Sequence, residues 1–157
     1  MELLQILKPL MELEYQMHRL YMWLGDAFQD HEEARTVFRK LAKEELQHRD
    51  MIHGQMAMVT ERFREFDQID ADLDGILTLT GVLKEIADQR KTMELKQAVQ
   101  VSVQIEQSAV EAHYRFLFAK ANPVLAELSN RLAEADSGHV QRLIDFSHRI
   151  GMTHDAV

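Results

Sequence analysis

Apolar residues recur every three or four positions along four long stretches of the chain, the pattern typical of helices with one buried face. In chain order the stripes run from Leu7 to Phe28, Phe38 to Val59, Val99 to Leu117 and Leu125 to Phe146. Each stripe also contains acidic or histidine positions on the same face. The pattern therefore predicts an all-α protein whose helices direct acidic and histidine side chains toward a shared interior.

The residues between the stripes predict where the helices begin. Asp30 or His31 is expected to start the second helix after a very short turn, and Thr92 can cap the third. Asn122 followed by Pro123 favours a fourth helix start, with asparagine as the cap and proline at the first helical position. Short connections predict two antiparallel helical hairpins.

A long crossover, about 67–91, is expected to join the two hairpins within a single domain spanning 1–157. Residues 80–90 can form a short extra helix inside it. Pro9 either kinks the first helix or marks its true start, because proline lacks the N–H that a helix interior uses.

Composition narrows the class of protein. The chain has 157 residues, a net charge of −8 and no cysteine. The negative charge and the lack of a lysine–arginine cluster argue against binding to nucleic acid or to an anionic membrane. Without cysteine there is no disulfide, iron–sulfur cluster or thiol chemistry in this chain. No signal peptide or membrane span is evident, so a cytoplasmic location is expected.

Six metal-ligand candidates lie in the stripes with a repeat of about 92 residues. They are Glu14, Glu45, His48, Glu106, Asp136 and His139. Two of the helices contribute a carboxylate and a histidine three residues later, and such pairs reach the same side of a helix. Four buried carboxylates would repel one another, whereas two divalent cations would neutralise them. The mixed oxygen and nitrogen set suits iron or manganese, with zinc a possible substitute.

This pattern resembles the ferritin-like superfamily, and within it the rubrerythrin-like di-iron carboxylate proteins. The similarity lies in the segments 14–21 and 41–48 and extends over residues 3–64 and 92–149. The resemblance implies a ferritin-like four-helix bundle. It also implies a non-haem di-iron oxidoreductase that reacts with O2 or hydrogen peroxide, as a ferroxidase or a peroxidase.

The same resemblance suggests roles for individual residues. Glu45 and Glu106 are candidate bridging carboxylates, and Glu14 and Asp136 are candidate terminal ones. His48 and His139 would each ligate one iron. Tyr21 lies seven residues after Glu14, and His113 lies seven residues after Glu106, so both are candidate catalytic residues beside the metals.

Three departures from the family pattern are evident: Asp136 stands where a glutamate is expected, His113 stands where the repeat predicts a tyrosine, and the four-cysteine iron domain of rubrerythrins is missing. Asp136, the missing domain and Gly138 within the second motif favour a second hypothesis. Gly138 would either permit the close approach of another helix or mark a motif that has drifted. The alternative is a non-enzymatic metal-binding bundle that acts in iron handling or as an interaction scaffold.

The chain also lacks the four-cysteine iron domain of rubrerythrins, so an external electron donor is expected. A homodimer is the expected assembly. Two further expectations concern single residues. His18 is interpreted as a boundary residue in preference to a ligand, and Glu44 and Glu111 lie off the inward stripes and are expected in solvent.

Overall fold

The computed structural model describes residues 3–62, 73–89, 92–116 and 123–152, which form five helices and no strand. The helices are α1 (Leu3–Ala27), α2 (Glu32–Arg62), α3 (Asp74–Gln89), α4 (Leu95–Phe116) and α5 (Pro123–Arg149). The predicted all-α class is therefore confirmed over these ranges. None of the five helices combines the length and apolar character needed to cross a bilayer.

Two of the predicted helix starts are observed, and two differ from the prediction. The ring of His31 accepts a hydrogen bond from the backbone N–H of Ala34 through Nδ1 at 3.1 Å, which caps α2 as one of the predicted start residues. Pro123 begins α5 as predicted. The helix predicted after Thr92 begins three residues later, at Leu95. Because α1 already begins at Leu3, Pro9 lies inside that helix and does not mark its start.

The segment predicted as a crossover contains a longer helix than expected. Helix α3 begins at Asp74 instead of Thr80, because Ile76, Leu79 and Leu83 share one buried face. The rest of the predicted crossover, 67–72 and 90–91, lies outside the described residues. Helix α3 packs against α1 and α4.

The remaining helices form two antiparallel pairs. Helix α1 packs along α2, and α4 packs along α5. In the first pair, His18 contacts the carbonyl oxygen of Ala42, and Asp26 pairs with Arg39 nearer the turn. In the second pair, Ser129 donates a hydrogen bond to the carbonyl oxygen of His113, and His139, further along α5, lies near Glu106, which is earlier in α4. The predicted pairing of neighbouring helices is thus observed.

The inward stripes of these helices form one core. Phe38 lies between Tyr21 and Phe146, with ring centroids 6.3 Å and 6.4 Å away. All three aromatic side chains are fully buried. This packing surrounds the polar positions of the stripes with apolar side chains and therefore separates them from water.

Candidate metal centre

Four carboxylates meet in the interior, one from each of α1, α2, α4 and α5. Glu14, Glu45, Glu106 and Asp136 are all 0% exposed. They occupy the same faces as the core leucines and phenylalanines, so folding of the helices carries them inward. Burial of so many carboxylates is costly unless cations or protons compensate them.

The first group of candidate ligands consists of Glu14, Glu45 and His48. Nδ1 of His48 lies 3.0 Å from Oε2 of Glu45 and 3.3 Å from Oε2 of Glu14. One potential ligand atom from each residue lies within 4.8 Å of the others. The side chain of His48 is 12% exposed, so this group is close to the protein surface on one side.

The second group consists of Glu45, Glu106, Asp136 and His139, and its ligand atoms also lie within 4.8 Å of one another. Nδ1 of His139 lies 2.9 Å from Oε1 of Glu45 and 3.4 Å from Oε2 of Glu106. Glu45 belongs to both groups and directs one oxygen toward each histidine. The six predicted ligand positions are therefore brought together, with Glu45 at the junction.

Several of these buried atoms have no hydrogen-bond partner among the described residues, although neighbouring polar atoms are close. The atoms are Oε1 of Glu14, Oε1 of Glu45, Oε2 of Glu106, Nε2 of His113, Oδ1 of Asp136 and Nδ1 of His139. Buried polar atoms are normally paired, so six unpaired atoms in one cluster require an explanation. Carboxylate oxygens and imidazole nitrogens are donor atoms that a cation could use.

Tyr21 and His113 occupy equivalent places around the cluster. The hydroxyl of Tyr21 donates a hydrogen bond to Oε1 of Glu106 at 2.5 Å, across from α1 to α4. His113 reaches in the opposite direction, with Nε2 3.2 Å from Oε1 of Glu14. Its Nδ1 also lies 2.7 Å from Oδ2 of Asp136. Each residue thus contacts the isolated glutamate of the other hairpin, as a two-fold repeat requires.

The pKa values of His48, His113 and His139 are all raised above that of an ordinary imidazole. Burial alone would lower their pKa values, but contacts with carboxylates outweigh it. The pKa of His48 rises from 6.5 to about 10 beside Glu14 and Glu45. The pKa of His113 rises to about 10 beside Asp136 and Glu14, and that of His139 to about 11 beside Glu106 and Glu45. Three imidazolium groups would compensate most of the carboxylate charge.

The pKa values of the three buried glutamates shift in different directions. Burial and repulsion from Glu45 raise the pKa of Glu106 to about 8. Burial likewise raises the pKa of Glu45, with repulsion from Glu14 contributing. For Glu14 the effect of burial is overcome by His113 and His48, and its pKa is held well below the usual range. The pKa of Tyr21 is well above 10 because of burial and the negative charge of Glu106, so the phenol retains its proton.

The expectation that Glu44 lies in solvent was wrong. Its side chain is 25% exposed, and its Oε2 lies 3.0 Å from Nε2 of His139 and 2.5 Å from a guanidinium nitrogen of Arg142. The sequence could have indicated that Arg142 lies near the site, because it follows His139 by three residues and so lies on the same side of α5. Glu44 reaches the cluster from the neighbouring helix, and no periodicity within α2 reveals that contact. Glu111 is exposed as expected.

The structure also tests the interpretations of His18 and Gly138. Nδ1 of His18 lies 2.7 Å from the carbonyl oxygen of Ala42, which matches the boundary role. Gly138 is exposed, and a Cβ built on it meets no atom of the described residues within 4 Å. Gly138 therefore does not serve the close approach of another helix.

Comparison of the chain with protein-family models, with curated proteins and with solved structures finds no match. What the residues establish is a helical protein whose buried glutamate, aspartate and histidine side chains could bind metal, in an arrangement compatible with a di-iron helical bundle.

Proposed function

We propose that this chain is a ferritin-like, rubrerythrin-like protein that binds two iron ions and uses them to reduce O2 or hydrogen peroxide. The observation that carries the proposal is the pair of ligand groups that share Glu45. Five buried ligand atoms without hydrogen-bond partners among the described residues support it, because metal ions would use these unpaired donor atoms.

The geometry favours particular roles within the ligand set. Glu45 would contribute to both metal positions, since its two oxygens face different histidines. Glu106 directs Oε2 toward His139, while its Oε1 accepts the hydrogen bond of Tyr21. We therefore assign Glu106 to the His139 position.

The other ligands complete the two positions. Glu14 and His48 hold the first metal ion with Glu45, and Asp136 and His139 hold the second with Glu45 and Glu106. Carboxylate and imidazole donors suit ferrous iron and manganese, and zinc can substitute. Nothing in this donor set is a soft sulfur ligand, which argues against copper(I).

When bound, two ferrous ions would supply the electrons that reduce O2 or hydrogen peroxide. The chain itself supplies protons and exclusion of water. Tyr21 holds its proton 2.5 Å from Glu106, and His113 can hold one between Glu14 and Asp136. Because the chain contains no cysteine for a thiolate-bound redox centre, re-reduction would require an external electron donor.

An anaerobic Fe(II) titration followed by O2 or peroxide tests the proposal. We expect two ions per chain, followed by oxidation that Glu45→Gln abolishes. The matched control is Glu33→Gln, which alters an exposed glutamate of the same helix α2 that pairs with Arg149. Wild-type protein that binds no iron would contradict the proposal.

A second candidate function is metal binding without redox catalysis, in iron handling or in a scaffold. His113 favours it, because its imidazole engages one oxygen of Glu14 and one of Asp136 and leaves each carboxylate a single oxygen for a metal ion. The same titration separates the two candidates. Two ions that remain ferrous under O2 and peroxide would indicate the non-enzymatic bundle.

A further inference from the structure

The outer nitrogen of His139 is held by a pair of charged side chains at the edge of the cluster. Nε2 lies 3.0 Å from Oε2 of Glu44, and the same oxygen lies 2.5 Å from Nη1 of Arg142. Glu44 comes from α2 and Arg142 from α5, so the contact also joins the two hairpins. Both side chains are partly shielded, which makes the pair more persistent than an ion pair in open solvent.

A carboxylate at Nε2 determines how the ring presents its other nitrogen. When the ring is neutral, as a metal ligand must be, the carboxylate favours a proton on Nε2 and leaves Nδ1, which faces Glu45 and Glu106, available to a metal ion. A carboxylate in this place also restrains rotation of the ring and makes the nitrogen a stronger donor to a metal ion. Loss of such a partner typically costs about 10–100-fold in metal affinity.

His48 lacks this support. Its ring stacks on His139 with centroids 5.4 Å apart, and Nδ1 faces Glu14 and Glu45. Among the side chains that the structure describes, no acidic group contacts its Nε2. The repeat explains the difference, because Ala135 corresponds to Glu44 and Met51 corresponds to Arg142. Neither an alanine nor a methionine can accept that proton as a carboxylate does.

We propose that Glu44, held by Arg142, is a positioning residue for His139 and makes the His139 position the tighter and first-filled of two metal positions. This inference rests on the proposed function. The shorter side chain of Asp136 would act in the opposite direction, but Nδ1 of His113 fixes it at 2.7 Å. Both the nitrogen and the oxygen ligands of α5 are therefore held before a metal ion arrives.

Anaerobic titration with Co(II), followed by visible absorption and calorimetry, tests the order of filling. Wild-type protein should bind in two steps. His139→Ala should remove the tighter step, and His48→Ala should remove the weaker one. The reverse assignment, or two steps of equal affinity in wild-type protein, would overturn the inference while leaving two-metal binding intact. Wild-type protein that binds no Co(II) would instead reject the proposed function together with the inference.

Glu44→Ala tests the positioning role itself. The tighter step should weaken about 10–100-fold while the weaker step changes little. Glu44→Gln, which keeps an acceptor oxygen, should recover part of the loss. The matched control is Glu33→Ala, which breaks the other glutamate–arginine contact between α2 and α5, with Arg149. If Glu33→Ala and Glu44→Ala weakened binding equally, the contact would be a structural link only.

A spectroscopic readout separates positioning from loss of stability. Nitrogen and proton NMR of the His139 ring in Zn(II)-loaded protein, where coordination keeps the ring neutral, should show Nδ1 bound to metal and a hydrogen-bonded proton on Nε2 in wild type. In Glu44→Ala that proton should exchange faster with water and its signal should shift toward that of an unbonded N–H, while Glu33→Ala should leave it unchanged. A wild-type ring that carries its proton on Nδ1 would contradict the proposal.

Discussion

The two halves of the candidate metal centre contain the same kinds of donor atom in different surroundings. Around His48 the ligands are two glutamates, and the outer side of the ring is without a described acidic partner. Around His139 each candidate ligand other than the shared Glu45 has a further neighbour: Glu44 at the ring, His113 at Asp136 and Tyr21 at Glu106. The two halves therefore contain the same kinds of donor atom, whereas the residues that contact those donors differ between the halves.

This difference shows where asymmetry can enter a duplicated site. A change of ligand would remove a metal position, whereas a change one contact further out alters only how firmly the ligand is held. Tyr21 and His113 illustrate the point. Each reaches the isolated glutamate of the opposite hairpin, but only His113 contacts a second carboxylate as well.

The largest expected effect is at the residue that both halves share. Glu45→Gln keeps the shape of the side chain but removes its charge, so metal binding should fall from two ions per chain to less than one. Glu106→Gln should spare the His48 position and lose mainly the other. Metal analysis after anaerobic loading measures both. Retention of two ions by Glu45→Gln would show that the halves are independent.

Metal ions and protons should compete for both halves, so metal should stabilise the fold more as pH rises. The raised pKa values of the histidines, about 10 for His48 and about 11 for His139, stabilise the metal-free fold fully below pH 6.5 and progressively less as pH rises toward them. Glu106, with its pKa raised to about 8, acts in the same direction. Glu14, whose pKa is lowered, loses its contribution only in strong acid.

Added Mn(II) or Zn(II) should therefore raise the melting temperature more at pH 8.5 than at pH 6. At metal concentrations a few hundred times the dissociation constant, the stabilisation should reach about 3–4 kcal/mol. Chelation should reverse it, and the double variant Glu45→Gln with Glu106→Gln should lose the response. A melting temperature independent of metal at both pH values would indicate that the cluster is packing only.

His113→Leu should affect the halves unequally. The change removes the ring nitrogen 2.7 Å from Asp136 and the weaker contact of 3.2 Å with Glu14. We expect about a 10–100-fold loss of affinity at the Asp136 position and a smaller loss at the other. Two-step Co(II) titration measures this. Equal losses at both positions would mean that His113 supports the whole cluster and does not distinguish its halves.

Tyr21→Phe should weaken only the half that contains Glu106. Without the hydroxyl, Oε1 of Glu106 is buried without a donor, which should cost about 1–3 kcal/mol in metal-free protein. With metal bound the cost should shrink, because a cation can use the released oxygen. Urea unfolding with and without metal measures the difference. Tyr15→Phe, on the exposed side of the same helix, is the control and should change little.

The smallest effect tests whether Gly138 belongs to the site or only neighbours it. A methyl group there meets no atom within 4 Å, so Gly138→Ala should stabilise α5 by about 0.5–1 kcal/mol without changing metal affinity. Gly25→Ala is the contrasting variant, since its Cβ would lie 2.9 Å from Cγ of Arg39. Urea unfolding measures both changes. Loss of metal affinity in Gly138→Ala would assign the glycine a functional role.

The amino-acid sequence by itself determined the all-α class, the helical pairing and the inward direction of the six ligand candidates. It could do so because helical periodicity is local: residues that recur in alternating steps of three and four share one face of a helix. The repeat placed Glu14 with Glu45 and His48, and Glu106 with Asp136 and His139. Local chemistry also located the start of α5 at Pro123.

Only the tertiary structure decided which side chains meet across helices. The contact of Glu44 with His139, and the hold of His113 on both Glu14 and Asp136, depend on the rotation and spacing of helices far apart in sequence. The length of α3 likewise depended on packing against α1 and α4. Periodicity indicates which face of a helix is buried, but the partner of each atom is set by how two such faces interlock.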